Sequence, residues 1–277
     1  MNPLDGLNDA VDELIDSFLT HNVIGPADVT QVSPGLTQYV FWMFVAIVLL
    51  LVVVFTFRKK QAASLVPHGF FVNAVESLIE FARDDLCKSI LPDTWKKHFP
   101  FIFAIFFFIL ANNIVGIIPG CHPGTGTIGV TAALACYSFV YFIVVGCRSK
   151  GVWGYVKSLA PKGVVFPLNV LVWVIEVFST FLRLITLAVR LFCNMFAGHV
   201  VMGTFAILAS LFFDPLMQAL SNGAALTAGA VGDAGASVLW VLVLIIIYLV
   251  EILVAVIQAY VFALLTAVYI QTAESEE

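Results

Sequence analysis

The sequence predicts an all-α integral membrane protein: about five membrane-crossing helices, an interfacial amphipathic helix, and a long tilted C-terminal helical hairpin. Three observations predict it. Of 277 residues, 61 % are hydrophobic and only 11 % charged, with mean hydropathy +1.03, a balance foreign to soluble domains. Apolar runs long enough to cross a bilayer alternate with short polar, basic or Gly/Pro-rich connectors. One apolar stretch, between Pro167 and Pro215, is 47 residues long. As a helix it would measure about 70 Å against a hydrocarbon core of about 30 Å, so it breaks or lies strongly tilted.

The elements follow in order. Residues 1–38 are acidic (Asp5, Asp9, Asp12, Glu13, Asp16, Asp28), and Leu4, Leu7, Val11, Leu14, Ile15 and Phe18 recur at helical spacing, which predicts a short amphipathic helix. Gly25-Pro26 and Pro34-Gly35 punctuate the approach to the membrane domain, 39–277. A first crossing over about 38–57 stops at Arg58-Lys59-Lys60. Between 68 and 91 an apolar face (Phe71, Val75, Leu78, Ile79, Ala82, Leu86) is interleaved with Glu76, Glu80, Arg83, Asp84 and Lys88, the pattern of a helix lying at the interface. A second crossing over 98–118 ends at Pro119-Gly120, and a third over 128–147 runs into a basic loop with Arg148, Lys150, Lys157 and Lys162. The long segment follows, then a small-residue loop over 215–235 containing Asp233. A last apolar run over 238–270 completes a hairpin spanning 166–272.

Charge fixes the orientation. Of the 13 Lys and Arg, Arg183 and Arg190 lie inside the long segment, and with five crossings the other eleven all fall on one side. The opposite side holds the acidic N-terminal segment, the 119–127 turn and the 215–235 loop, without a single Lys or Arg. The positive-inside rule then puts the N-terminus outside and the C-terminus in the cytoplasm, or in the equivalent matrix or stroma. No basic n-region with an apolar core precedes Tyr39, which predicts no cleaved signal or transit peptide. A bacterial plasma membrane is the expected location, with the mitochondrial inner or thylakoid membrane as the alternative.

Several chemistries lack their residues. Cys87, Cys121, Cys136, Cys147 and Cys193 are scattered and odd in number, with no CxxC or Cys/His ligand spacing, so no disulfide framework, metal centre or cofactor site is expected. GxxxxGK[ST] and HExxH are absent, which removes P-loop nucleotide binding and one metalloprotease class. Nothing in the net charge of −5 points to nucleic acid.

The polar residues at membrane depth are Glu176, Arg183, Arg190, Asn194 and His199 on the long segment, and Tyr248, Glu251, Gln258 and Tyr260 on the last. Such groups are expensive in lipid and mark ion paths. At about 100° per residue, Glu176, Arg190 and Asn194 share one face and His199 points to the opposite one. An antiparallel hairpin turning near residue 225 would set His199 at the depth of Glu251 and Arg190 at that of Gln258. Glu176 would stand alone toward the cytoplasmic side. A His and a carboxylate can exchange protons near neutral pH. An Arg keeps its proton and therefore interrupts a proton wire. The set suits proton movement through two disconnected halves. The competing reading is structural: Arg190 pairs with Glu176 to steady a bundle, Arg183 snorkels, and Asn194 and Gln258 serve as interhelical hydrogen-bond glue.

RLFCNMFAGH at 190–199, PLN at 167–169, NIVGIIPG at 113–120 and the terminal EILVAVIQAYVFALLTAVYI together resemble subunit a of F-type ATP synthases, from about residue 68 onward. The resemblance implies a non-catalytic stator subunit whose last two helices lie tilted against a ring of c subunits. The peripheral-stalk b subunits and the rest of the complex would be further partners, and no nucleotide would be bound directly. It places the family's essential arginine at Arg190 and its neighbouring asparagine at Asn194. His199 and Glu251 fall on an outer half-channel pair in swapped order, Gln258 on a supporting polar position and Glu176 near the inner half-channel. Two departures stand out: Leu184 where many members have Pro, and Cys193 where Gly or Ala is usual. A self-sufficient ion-coupled transporter is the alternative function, but the first half does not repeat the 167–214 pattern that such a fold would be expected to show. An intramembrane protease would need a Ser/His or paired-Asp constellation, and none appears.

Overall fold

The computed structural model describes residues 22–24, 36–63, 69–158, 168–221 and 228–275. The amphipathic helix expected before residue 20 lies outside them. A short antiparallel pairing of β1 (Asn22–Ile24) with β2 (Leu36–Thr37) leads into α1 (Gln38–Ala63). After it come α2 (Phe70–Phe81), α3 (Trp95–Ile117), α4 (Ile128–Lys150), α5 (Val152–Ser158), α6 (Leu168–Ser221) and α7 (Ala228–Glu274). Five of these, α1, α3, α4, α6 and α7, are long and apolar enough to cross a membrane. The fold is an all-α membrane protein, as the sequence predicts.

Each boundary has a local cause. Gly151 follows α4 at φ 75°, a backbone conformation that a side chain resists and glycine adopts freely. Arg148 and Lys150 sit in the last turn of α4, where cations meet the negative end of the helix dipole. Pro119 lies beyond the last turn of α3, and Ile118 before it is extended at φ −69°, ψ 126°, as residues preceding proline tend to be. α2 passes into a wider π-helical stretch over Ala82–Lys88. Its inward stripe is Val72, Ala82, Leu86 and Cys87, so Val72 turns inward in place of the expected Phe71. Phe71 is exposed instead, with the Lys60 ammonium 5.4 Å from its ring centroid.

α6 is one unbroken helix of 54 residues, and α7 runs for 47. Of the two expected solutions, breaking or tilting, the chain does not break. Leu184, where a proline would remove a hydrogen bond and kink the helix, continues it. At 1.5 Å per residue α6 is about 80 Å long, so it runs far from the bilayer normal. The two helices also consume most of the predicted 215–235 loop: residues 215–221 stand on α6, and Asp233 on α7. The helices continue through Pro215 on one side and Gly229, Gly232 and Gly235 on the other, residues that disfavour a helix, and only 222–227 separate the pair.

The hairpin pair α6/α7 forms the most extensive helix–helix contact among the described elements, and α3 and α4 pack across it. Its seam on α6 is Ala188, Leu191, Met195, Gly198 and Met202, all buried, spaced three and four apart as a helix stripe requires. α7 answers with Ala255, Ala259, Ala263 and Ala267, each at most 1 % exposed. Without a hydrophobic drive inside lipid, such small residues let backbones approach and gain dispersion contact. Phe106, Ile102 and Ile109 of α3, with Phe262 and Ile270 of α7, fill the centre.

Candidate functional site

The site residues lie along the α6/α7 seam, and helix geometry decides which of them meet. Around α6, Asn194 and His199 flank the buried stripe on opposite sides, each roughly 70° from its centre, whereas Arg190 is more than 100° away. The contacts follow that order. Asn194 Nδ2 donates to Gln258 Oε1 at 2.7 Å, with Gln258 itself 3 % exposed. Arg190 is exposed and makes no hydrogen bond or ion pair among the described residues. The expected depth match of Arg190 with Gln258 is therefore shifted by one turn. Asn194, nearer the seam and shorter, takes the glutamine, and the long guanidinium points outward.

Glu251 reaches α6 at Gly198, the residue beside His199. Gly198 is buried, and a Cβ placed on it would fall 2.5 Å from the Glu251 carboxyl carbon. The carboxylate thus lies on bare backbone that only glycine leaves open. His199 Nε2 is buried with no hydrogen-bond partner. A buried polar atom left unpaired costs about 1–3 kcal/mol and calls for a reason. Nearer the hairpin turn, Ser237 Oγ donates to the Ala209 carbonyl at 2.9 Å. The facing pairs Asn194/Gln258, Gly198/Glu251 and Ala209/Ser237 have midpoints between 223 and 226, so the hairpin turns where the sequence predicts.

Glu176 does not stand alone. Its Oε1 accepts from Arg183 Nη2 at 3.0 Å, two turns further along α6, and the Arg183 guanidinium lies 5.4 Å from the Tyr269 ring centroid on α7. Both partners are about a third exposed. Residues seven apart return to one helix face, so Arg183, read as a snorkelling cation, is the nearer partner for this carboxylate than Arg190.

Two contributors escaped the sequence reading. Gly198 is legible only as a small residue next to His199. Asn113 of α3 is wholly buried; its Nδ2 donates to the Ala255 carbonyl at 3.2 Å and its Oδ1 accepts from Thr125 at 2.9 Å. It fixes α7 one turn from Gln258 and Glu251, and its signal was an amide inside an apolar run. Among the described residues no group of His, Cys, Asp or Glu could hold a metal ion.

The chain also has known relatives. Residues 40–271 match the family described as ATP synthase A chain. The chain belongs to that family. It is 35 % identical over 237 residues to ATP synthase subunit a of Myxococcus xanthus, covering 85 % of this chain and 72 % of the relative. It is 34 % identical over 250 residues to ATP synthase subunit a of Chloroherpeton thalassium, covering 88 % and 68 %. ATP synthase subunit a 2 of Prosthecochloris aestuarii is 34 % identical over 257 residues, covering 92 % and 72 %. Family membership makes the chain a multi-pass subunit of the membrane sector of an F-type ATP synthase, a component of proton transport in ATP synthesis. The match begins after the acidic segment 1–38.

Proposed function

We propose that the chain is the stator half of a rotary proton path, conducting protons through two offset half-channels to and from carboxylates on a c-subunit ring. It catalyses no bond chemistry and binds no nucleotide itself. Arg190 carries the reading. A permanently charged guanidinium on an exposed face at membrane depth costs about 2.5–3.5 kcal/mol, yet it has no counter-charge among the described residues. Such a group is stable where a partner presents an anion, and a rotating ring of carboxylates presents one repeatedly.

The remaining roles follow from position. His199 and Glu251, with an unpaired imidazole nitrogen and a carboxylate lying on glycine, form the outer relay that loads the ring. Asn194 and Gln258 hold the two helices in register beside Arg190. Glu176, steered by Arg183, receives protons on the inner side. Arg190 between them keeps protons from crossing without turning the ring. The cluster of Lys and Arg on one side supports a cytoplasmic C-terminus, an outside N-terminus with residues 1–38 extracytoplasmic, and a bacterial plasma membrane. The ring and the peripheral-stalk b subunits are the expected partners.

The test replaces Arg190 with Ala in the whole complex and follows ATP-driven proton pumping and passive leak in inverted vesicles. Pumping is expected to vanish with the complex assembled and the leak raised. Pumping near the wild-type rate would overturn the role and return Arg190 to a packing residue.

A further inference from the structure

A second feature lies at the basic end of α6, beside the stretch that carries Glu176. Trp153, Val156 and Lys157 of α5 stand opposite Asn169, Val170 and Trp173 of α6 around an open cavity of about 410 Å³. The Trp173 indole N–H donates to the Val156 carbonyl at 2.9 Å, so the ring is a fixed wall between the two helices. Asn169 Oδ1 is buried and accepts no hydrogen bond. Trp153 is 87 % exposed. From the other side of Trp173 a second cleft of about 380 Å³ continues along α6, lined by Val174, Val177, Phe178 and Phe181.

The chemistry is graded along the helix. At the mouth are an ammonium, an unpaired amide oxygen and two tryptophans, the side chains that favour the lipid–water interface. Deeper the lining is purely apolar. From Asn169 to Phe181 the helix runs for about 18 Å along its axis, a length of groove that one acyl chain can follow. The sequence around the mouth holds Arg148, Lys150 and Lys157 and has no Asp or Glu between Asp93 and Glu176, so the field there favours an anion. Around α6 the apolar cleft centres roughly 170° from Arg190 and the mouth roughly 110°, so a ring docked on the arginine face leaves the apolar cleft open.

We propose that these two clefts form one binding site for an anionic glycerophospholipid, with phosphatidylglycerol as the fitting headgroup. Its phosphate sits on Lys157 and a headgroup hydroxyl donates to Asn169 Oδ1. One acyl chain lies along Trp173, Val177 and Phe181. The lipid wedges α5 against the start of α6 and so sets where the long helix enters the bilayer.

The test reconstitutes the whole complex in vesicles with a phosphatidylglycerol carrying a photoactivatable acyl chain and maps the labelled peptides. The 170–181 peptide is expected to label roughly five-fold above the lipid-facing α1, the worth of one lysine against an anionic lipid. Unlabelled phosphatidylglycerol should compete and phosphatidylcholine should not. Lys157→Glu and Asn169→Leu should each remove the enrichment while assembly and pumping persist. Equal labelling of α1 and α6, which is bulk lipid only, overturns the proposal. So does enrichment indifferent to headgroup, or protection of the cleft by another subunit of the complex. The wild-type labelling and competition require no variant, so a variant that fails to assemble leaves the test intact.

Discussion

The two ends of the α6/α7 pair use the same residue types to opposite effect. At the basic end, His98 is fully buried and both ring nitrogens are occupied. Nδ1 meets the Tyr141 hydroxyl and Nε2 the Glu274 Oε1, each at 3.0 Å. Glu274 also accepts from Thr94 at 2.7 Å and Lys97 at 3.2 Å. Further along, His199 Nε2 is buried with no partner, and Glu251 makes no hydrogen bond among the described residues. A saturated His/Glu cluster is a clamp, since every desolvated group is repaid. An unsaturated one keeps its capacity for a transient partner such as a proton, a water or another subunit. Hydrogen-bond occupancy, rather than residue type or burial, separates the residues proposed to carry protons from the structural pair.

The sharpest way to break that comparison is to disable one carboxylate at each end. Glu251→Gln keeps the shape of the open pair and removes its proton chemistry. Proton flux per assembled complex should fall by about 100-fold, within the range a positioned acid/base supplies, with the chain's thermal stability close to wild type. Measured in vesicles, flux within a few-fold of normal would mean that the open end is only another packing contact. Glu274→Ala should do the converse. It strips His98 Nε2 of its partner inside the fold and should cost about 1–3 kcal/mol of stability, read as a lower midpoint when the purified chain is heated in detergent. Flux per assembled complex should be unchanged. A variant as stable as the parent would show that the clamp holds nothing.

How much of this could be read from the sequence depends on the range of the interaction. The crossings were legible because apolar runs of that length have one outcome in lipid. The hairpin register was legible because two antiparallel helices of equal rise place residues symmetric about the turn at equal depth, and Gly198/Glu251 and Asn194/Gln258 obey it. What the sequence does not specify is the choice among neighbours at one depth. Arg190 and Asn194 both qualify for Gln258, and Arg183 and Arg190 both qualify for Glu176; side-chain length and a few tens of degrees around the helix decide. The clamp was missed for a related reason: His98 and Glu274 are 176 positions apart and belong to no common motif. The extent of the helices past Asp214 and before Val238 was missed because Pro215 reads as a helix stop and Gly229, Gly232 and Gly235 read as loop, yet α6 continues to Ser221 and α7 begins at Ala228.

The cysteines give a finer probe, because one is covered by its own fold and another lies exposed near Arg190. Cys87 is 0 % exposed on the inward face of the π-helical stretch that continues α2, and burial pushes its thiol up to about 11. At pH 8 only about one molecule in a thousand would then carry the reactive thiolate. Cys193 is exposed on α6, about 60° around the helix from Arg190. In the purified chain in detergent a small maleimide should therefore label Cys193 and spare Cys87. In the assembled complex Cys193 should become protected while Cys87 stays as it was, since one is covered by a partner and the other by its own fold. Equal labelling of Cys193 in both states would mean that nothing docks on the arginine face, and the unpartnered guanidinium would then need a different anion to explain it.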